Sequence, residues 1–367
     1  MIISILAALL LAGGALFMTS APQFGSAPDE ESLRRWSALP HYKDGRFVNI
    51  GGVDVNFSGG SMLGTLWDFL TVTDTKPAKP LPVAFEEGAV DFPIAAGETR
   101  VTWFGHSAVL LEIDGKRILI DPMLNDKASP IPIFGSSRFR LERPLASLRF
   151  PRIDAVLISH DHYDHLDLRS IRRLQSQVRH FFVPLGVGAH LRGWGIDASR
   201  ITEMDWWDTT EFGGITLTAA PAQHFSGRGL TNRNSTLWVS WAIRGASHSV
   251  FFSGDSGYGP HFREIGERLG PFDYTMIECG QYNEKWAAIH AMPEESVQAH
   301  LDLRGAAMMP IHWSGFQLAL HTWTDPVERA AAAATEKGVT LVTPKIGQAV
   351  TLGRYDNVGR WWEDLRP

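Results

Sequence analysis

Residues 159–167 constrain this chain most. They read Ser-His-Asp-His-Tyr-Asp-His-Leu-Asp and carry the pattern H-x-H-x-D-H on His160, His162, Asp164 and His165. Four metal-ligand candidates thus fall in six consecutive residues. The preceding residues 153–158 are apolar apart from Asp154, with no Gly or Pro, and predict a buried strand. Residues 167–175 turn charged with a helical period. The cluster therefore belongs to a loop between a strand end and a helix start. Such a loop can aim alternate side chains at one point, which neither a flat strand nor one helical turn achieves for four successive ligands. Neutral imidazoles and carboxylates suit zinc and similar divalent ions. His160 and His162 would serve one ion, Asp164 and His165 a second. The plain alternative, a solvated loop that happens to be His-rich, does not explain the strand running straight into the cluster.

Two ions need more ligands. Three candidates each stand just past an expected strand: His224 after 215–220, Asp255 after 250–253 and His312 after 307–310. Taken singly, His224 reads equally as a surface histidine, Asp255 as a turn former beside Gly254, and His312 as a core residue beside Trp313. Taken with the cluster, they read as ligands, because strand ends along one edge of a sandwich converge on a cleft.

Further strands are expected at 101–104, 108–113, 117–120, 180–184, 201–204, 236–243, 249–253, 274–278 and 340–343. Helices are expected at 187–193, 261–269, 293–303 and 326–337. Strands run consecutively first and then mix with helices. That order predicts two packed sheets with helices outside, a layered α/β sandwich.

The first 98 residues differ in character. Residues 2–18 are almost wholly apolar and 19–21 are small, so 1–21 reads as a membrane anchor or a signal segment. Arg34 and Arg35 beyond it favour a cytoplasmic catalytic domain if the segment is an anchor. A cleaved signal would place that domain outside the cytoplasmic membrane, and the sequence leaves the membrane face open. Residues 22–98 read as an extension wrapped on the main domain at 99–367. It is expected to hold a hairpin within 45–57, a short amphipathic and interfacial helix at 62–70, and a proline-rich linker at 76–82. A net charge of −6 without a long basic run argues against nucleic acid as a partner. The single cysteine, Cys279, excludes an intrachain disulfide.

The H-x-H-x-D-H pattern with His224, Gly254-Asp255 and His312 resembles the metallo-β-lactamase fold superfamily. Residues 221–229, 234–238, 204–207, 103–107 and 186–191 resemble one branch of it, the N-acyl-phosphatidylethanolamine-hydrolysing phospholipase D family. The likeness covers 99–353. It implies a four-layer αββα sandwich with a dinuclear zinc site (two Zn2+). His160, His162 and His224 would hold the first zinc, Asp164, His165 and His312 the second, and Asp255 would bridge both. His290 matches a family histidine near the substrate phosphate, and Asp164, Asp255 and His290 form the implied catalytic set. His106 is expected to point into the cleft as a donor behind the ligands.

The implied reaction releases N-acylethanolamine and phosphatidic acid from N-acyl-phosphatidylethanolamine, with a hydroxide held between the zinc ions as nucleophile. The implied partners are a phospholipid substrate and a membrane. The rival enzyme reading is a lactonase of the same fold, acting on a sugar phosphate or an acyl lactone. A non-enzymatic reading, an anchored binding protein with a vestigial site, sits poorly with an intact set of seven ligands. A thiolate ligand from Cys279 is unneeded where Asp255 and His165 fill the places. Acyl specificity, the metal in vivo and the oligomeric state stay open, a homodimer among the states.

Overall fold

The computed structural model describes residues 13–14, 16–18, 20–53, 67, 71–73, 75–86, 88–89, 97–131, 133, 135–356 and 358–365. Most of the apolar segment 2–18 and of the expected helix 62–70 lies outside them. No helix among the described residues is long and apolar enough to cross a membrane.

Two seven-stranded sheets form the body. The first takes β1 (Arg100–Trp103), β2 (Val109–Ile113), β3 (Lys116–Ile120), β4 (Ile153–Leu157), β5 (Val178–Pro184) and β6 (Ile201–Met204) in consecutive order. The second takes β7 (Thr209–Phe212), β8 (Ile215–Pro221), β9 (Val239–Arg244), β10 (Ser249–Phe252), β11 (Phe272–Glu278), β12 (Gly305–Ile311) and β13 (Thr340–Leu341). A last strand, β14 (Ala349–Thr351), returns to pair antiparallel with β1. In each sheet the early strands pair antiparallel and the later ones parallel. The parallel pairs are β3–β4, β4–β5 and β5–β6 in the first sheet, and β10–β11, β11–β12 and β12–β13 in the second. Each parallel step needs a crossover, and helices supply several of them. They are α2 (Leu168–Leu174), α3 (Val187–Gly193), α4 (His261–Leu269), α5 (Pro293–Asp302) and α6 (Asp325–Lys337), following α1 (Glu30–Trp36) in the extension.

Alternation along the strands sorts the core into layers. Phe252, Met276 and Met309 join the large inter-sheet core, whereas their neighbours Phe251, Ile277 and Met308 join a separate apolar cluster with Phe262, Ile265, Val297 and Leu303 of the helices. Successive strand residues face opposite sides, so strands buried on both faces read as unbroken apolar runs. This is the α/β sandwich the element order predicts.

Strands β7 and β14 have no counterpart among the expected elements. Thr209–Phe212 is a polar edge strand that pairs only with β8, and Ala349–Thr351 has three residues. The hairpin of the extension pairs Tyr42–Lys43 with Arg46–Phe47 and so straddles the start of the expected 45–57, of which residues 54–57 lie outside the described residues. The linker reading of 76–82 is corrected. Leu81, at the end of that stretch, is fully buried, bridges to Leu141 and joins the main core, whereas Lys76, Ala78 and Lys79 are exposed, so the linker reading holds at most for 76–80. Trp36, Tyr42, Phe47 and Phe85 of residues 22–98 join the same core.

Phe47 is completely buried and contacts the rings of Trp36 and Tyr42. Phe47→Ala is expected to cost about 3–5 kcal/mol of stability, the usual range for deleting a buried Phe. Urea unfolding measures it; a loss under about 1 kcal/mol would show that the extension is not part of the cooperative core.

Candidate metal centre

The chemistry-bearing loops leave the ends of strands on one edge of both sheets. Asp121 follows β3, the 159–167 loop follows β4, His224 follows β8, Asp255 follows β10, Glu278 ends β11 and His312 follows β12. His106 sits in the β1–β2 connection and exchanges backbone hydrogen bonds with the chain at 312–313. Carboxyl ends of parallel strands diverge into such clefts. Three of these residues hold left-handed backbone: Asp121 (φ 42°), His106 (φ 56°) and His312 (φ 64°). Each such residue costs on the order of 1–3 kcal/mol, and strain of this kind clusters at functional sites. Gly254 (φ 59°) has a steric role as well. A Cβ there would lie 2.8 Å from Ser159 Cβ and 3.0 Å from Val239 O, so glycine lets Asp255 come alongside the histidine loop.

The cluster loop closes with a helix cap. Asp167 accepts the Ser170 N–H at 2.7 Å and its hydroxyl at 2.7 Å, which starts α2 directly after the last ligand candidate. Behind the loop, Asp161 accepts from Gly227 N–H at 2.8 Å and pairs with His190 at 3.2 Å. Burial raises the Asp161 carboxyl, but the His190 bond and the charges of His190, His162 and Arg228 outweigh it and hold it at about 2. The neighbour within the H-x-H step is thus a carboxylate used for scaffolding.

All seven predicted ligands meet. His160 Nε2 lies 2.9 Å from His162 Nδ1, which lies 3.2 Å from His224 Nε2. The ligand atoms of these three fall within 4.8 Å of one another. A second group holds Asp164, His165, His312 and also His106 within the same distance. Asp255 stands between them. Its Oδ2 is 3.1 Å from His165 Nε2 and 3.8 Å from both His160 Nε2 and His224 Nε2, while Oδ1 is 3.1 Å from His312 Nδ1.

Hydrogen bonds made away from the centre aim lone pairs into it. Asp121 accepts the Ser159 N–H at 2.7 Å, the Ser159 hydroxyl at 2.5 Å and His165 Nδ1 at 2.7 Å. With its one proton given to Asp121, Ser159 Oγ takes the role of acceptor for His160 Nδ1 at 2.9 Å. His224 Nδ1 donates to Ile289 O at 3.0 Å. Nε2 of His160 and His224 is then left unprotonated and turned inward, the tautomer a metal requires, and His165 turns its Nε2 to the same point, where an ion would displace the proton. His106 Nε2 lies 2.8 Å from Asp164 Oδ2 and orients that carboxylate.

Electrostatics suit a cation. Burial pulls His162 and His106 down to about 4 and His160, His224 and His312 well below their usual value, so these imidazoles are neutral at pH 7. Burial also pulls on His165, but Asp255, Asp164 and Asp121 outweigh it and hold it well above its usual value. Burial pushes Asp255 up to about 7. His165 Nε2 and Asp255 Oδ1 are buried and make no hydrogen bond. Unsatisfied buried groups of this kind are costly. A divalent ion supplies the missing partner for both, so the donor set fits metal. Cys279 is buried outside every such group, and burial pushes its thiol well up.

His290 lies beside the two groups, its ring stacked on His312 at 5.3 Å and edge-on to His224 at 5.0 Å. A cavity of about 280 Å³ opens above the centre. His162, Asp164, Asp255, His290 and His312 line it together with Gln281 and the apolar Phe225, Trp286, Ile289 and Leu318. Two contributors escaped sequence reasoning. Asp121 signals itself only as an Asp-Pro step ending a strand. Glu278 ends an apolar strand and bonds His290 Nδ1 at 2.9 Å.

A family model described as Beta-lactamase superfamily domain matches residues 116–313, and the chain belongs to that family. It is a metal-dependent hydrolase of the metallo-β-lactamase fold. An uncharacterized protein of Mycobacterium tuberculosis is 43% identical over 341 residues, covering 91% of this chain and 90% of the relative. The N-acyl-phosphatidylethanolamine-hydrolyzing phospholipase D 1 of Caenorhabditis elegans is 36% identical over 230 residues, covering 59% of this chain and 64% of the worm protein. Among solved structures, the metallo hydrolase Igni18 of Ignicoccus hospitalis matches with a TM-score of 0.53 and 21% identity, over 70% of this chain and 99% of that one.

Asp121→Asn should lower metal affinity about 10–100-fold, the usual cost of losing a partner behind a ligand, while the protein stays folded. Chelator competition on the purified protein measures this; unchanged affinity would show that Asp121 does not orient His160 and His165.

Proposed function

We propose that this hydrolase is a dinuclear zinc phosphodiesterase of the phospholipase D type, acting on N-acyl-phosphatidylethanolamine. The observation that carries the reading is the cavity. It brings His162, Asp164, Asp255 and His312 of the ligand groups, with His290, into one lining with the apolar Phe225, Trp286, Ile289 and Leu318. A phosphodiester bearing apolar chains matches that mixed polar and apolar lining. The likeness to the worm phospholipase supports the same reading.

In this assignment His160, His162 and His224 hold one ion, and Asp164, His165 and His312 the other, with Asp255 between them. When bound, the ions supply positive charge for the phosphate oxygens and make a water acidic enough to lose its proton near neutral pH. The chain's own residues do the rest. Asp121, Ser159 and His106 fix the orientation of the ligands. Asp164 and Asp255 orient the nucleophile. His290 faces the phosphoryl group. Phe225 and Trp286 keep bulk water from the cavity and line the path of the lipid chains. Residues 1–21 are assigned as a tether that holds the enzyme where its substrate lies, with 22–98 as an extension and 99–367 as the hydrolase domain.

Zinc-loaded protein should release N-acylethanolamine and phosphatidic acid from N-acyl-phosphatidylethanolamine vesicles, read by mass spectrometry beside a lactone panel. His160→Ala removes a ligand and should lose more than the about 100-fold that changes behind the ligands cost. Lactone opening without lipid cleavage would move the function to a lactonase. Deleting residues 1–21 should abolish co-sedimentation with vesicles and leave cleavage of detergent-dispersed lipid in place.

A further inference from the structure

The phosphodiester reading leaves one buried acid without a role. Glu278 is the last residue of β11, wholly buried, and it is not among the seven ligands. Its Oε1 accepts the Ser256 N–H at 3.0 Å and the Ala291 N–H at 3.0 Å, and its Oε2 meets His290 Nδ1 at 2.9 Å. Ser256 directly follows Asp255, and Ala291 directly follows His290. One carboxyl therefore ties the loop that carries the central carboxylate to the loop that carries the substrate-facing histidine. The same two loops approach so closely that a Cβ on Gly257 would lie 2.2 Å from Ala288 O. Gln223 Nε2 donates to Ala288 O at 2.9 Å, which brings the His224 loop into the same bundle.

The His290 ring needs such a hold. Its ligand atom lies within 4.8 Å of those of Asp255 and His312, close enough that an untethered imidazole would turn a nitrogen toward the metal groups. With Nδ1 tied down to Glu278, Nε2 is the nitrogen left for the cavity.

We propose that Glu278 is a positioning residue for catalysis: it holds the Nδ1 edge of His290 so that Nε2 meets the phosphoryl group rather than the metal cluster. This rests on the phosphodiester reading of the site. The hold is geometric and depends on reach. A glutamine there keeps the length, accepts the same backbone N–H groups through its oxygen and hydrogen-bonds Nδ1 through its amide. An aspartate keeps the carboxyl group and falls one methylene short.

Glu278→Asp and Glu278→Gln are compared in zinc-loaded protein, with a nitrophenyl phosphodiester as substrate and inorganic phosphate as ligand in calorimetry. Glu278→Asp should lower kcat and weaken phosphate binding by about 10–100-fold, the worth of one hydrogen bond to a charged group. Glu278→Gln should stay within about tenfold of wild type in both. In a His290→Ala background Glu278→Asp should cost nothing more, because its effect runs through that ring. A folded Glu278→Gln as impaired as Glu278→Asp would assign the effect to the carboxyl group itself rather than to reach and overturn the proposal. So would a full additional loss in the His290→Ala background, the mark of a merely structural carboxyl. Should Glu278→Asp fail to fold, Glu278→Gln with His290→Ala still decides it: a phosphate affinity unchanged in His290→Ala removes the contact that Glu278 is said to position. Phosphate binding that responds as described in a protein that leaves N-acyl-phosphatidylethanolamine intact would keep Glu278 in its role and remove only the lipid assignment.

Discussion

The carboxylate of Asp121 is the fixed point of this structure. It sits at the end of β3 in a left-handed conformation and accepts three hydrogen bonds from the loop that follows β4. Strands β3 and β4 are parallel neighbours, so their carboxyl ends lie side by side. A single anion there can grip a loop containing four ligand candidates. Its grip decides ring orientation as well as position. His165 is tied directly and His160 through Ser159, and both turn Nε2 inward. Without that anion the cluster would be a set of neighbouring histidines with free tautomers. With it, the two Nε2 atoms converge before any ion arrives, and less conformational freedom remains to be lost on binding.

The second sheet supplies its share by the same logic with different chemistry. His224, Asp255 and His312 come from three separate strand ends, and nothing in the chain makes them neighbours except the sheet that spaces those ends. Gly254 removes the side chain that would collide with Ser159, so the two sheets can close at that edge. Trp313, next to His312, stacks on Trp103 at 5.4 Å, and Trp103 Nε1 donates to His106 O at 2.8 Å. The indole layer therefore supports the backbone of both His106 and His312 where it is strained. Rigid packing beneath a strained loop is what lets the strain persist.

These origins explain what was legible in the sequence. The histidine cluster was legible because its ligands are consecutive and an apolar strand runs into them. His224, Asp255 and His312 were legible because each follows a recognisable strand and keeps an unusual residue there. Asp121 was not, since an Asp-Pro step after a strand signals termination whether or not the carboxylate is used. Glu278 was not, because a lone acid ending an apolar strand reads as its solvated cap, and only the fold reveals that this end is buried. Leu81 was hidden by three prolines that gave its segment the composition of a linker. Strand β7 was hidden by Thr209, Thr210 and Glu211, since an edge strand need not bury both faces. Asp121, Glu278 and Leu81 owe their roles to partners well removed in the chain, whereas β7 pairs with the adjacent β8.

Charge narrows what the centre can serve. Of the seven meeting residues, only Asp164 and Asp255 are carboxylates, and burial keeps most of the imidazoles neutral. Two dications against these two carboxylates and the Asp121 anion behind them would leave about one positive charge beside a cavity lined by Phe225, Trp286, Ile289 and Leu318. An excess of that size in so apolar a setting is expensive unless an anion offsets it. A hydroxide or another anionic ligand would offset that charge. The ligand set, with few carboxylates and many neutral histidines, therefore favours an anion beside the ions, and the apolar residues around the cavity strengthen that attraction by weakening solvent screening.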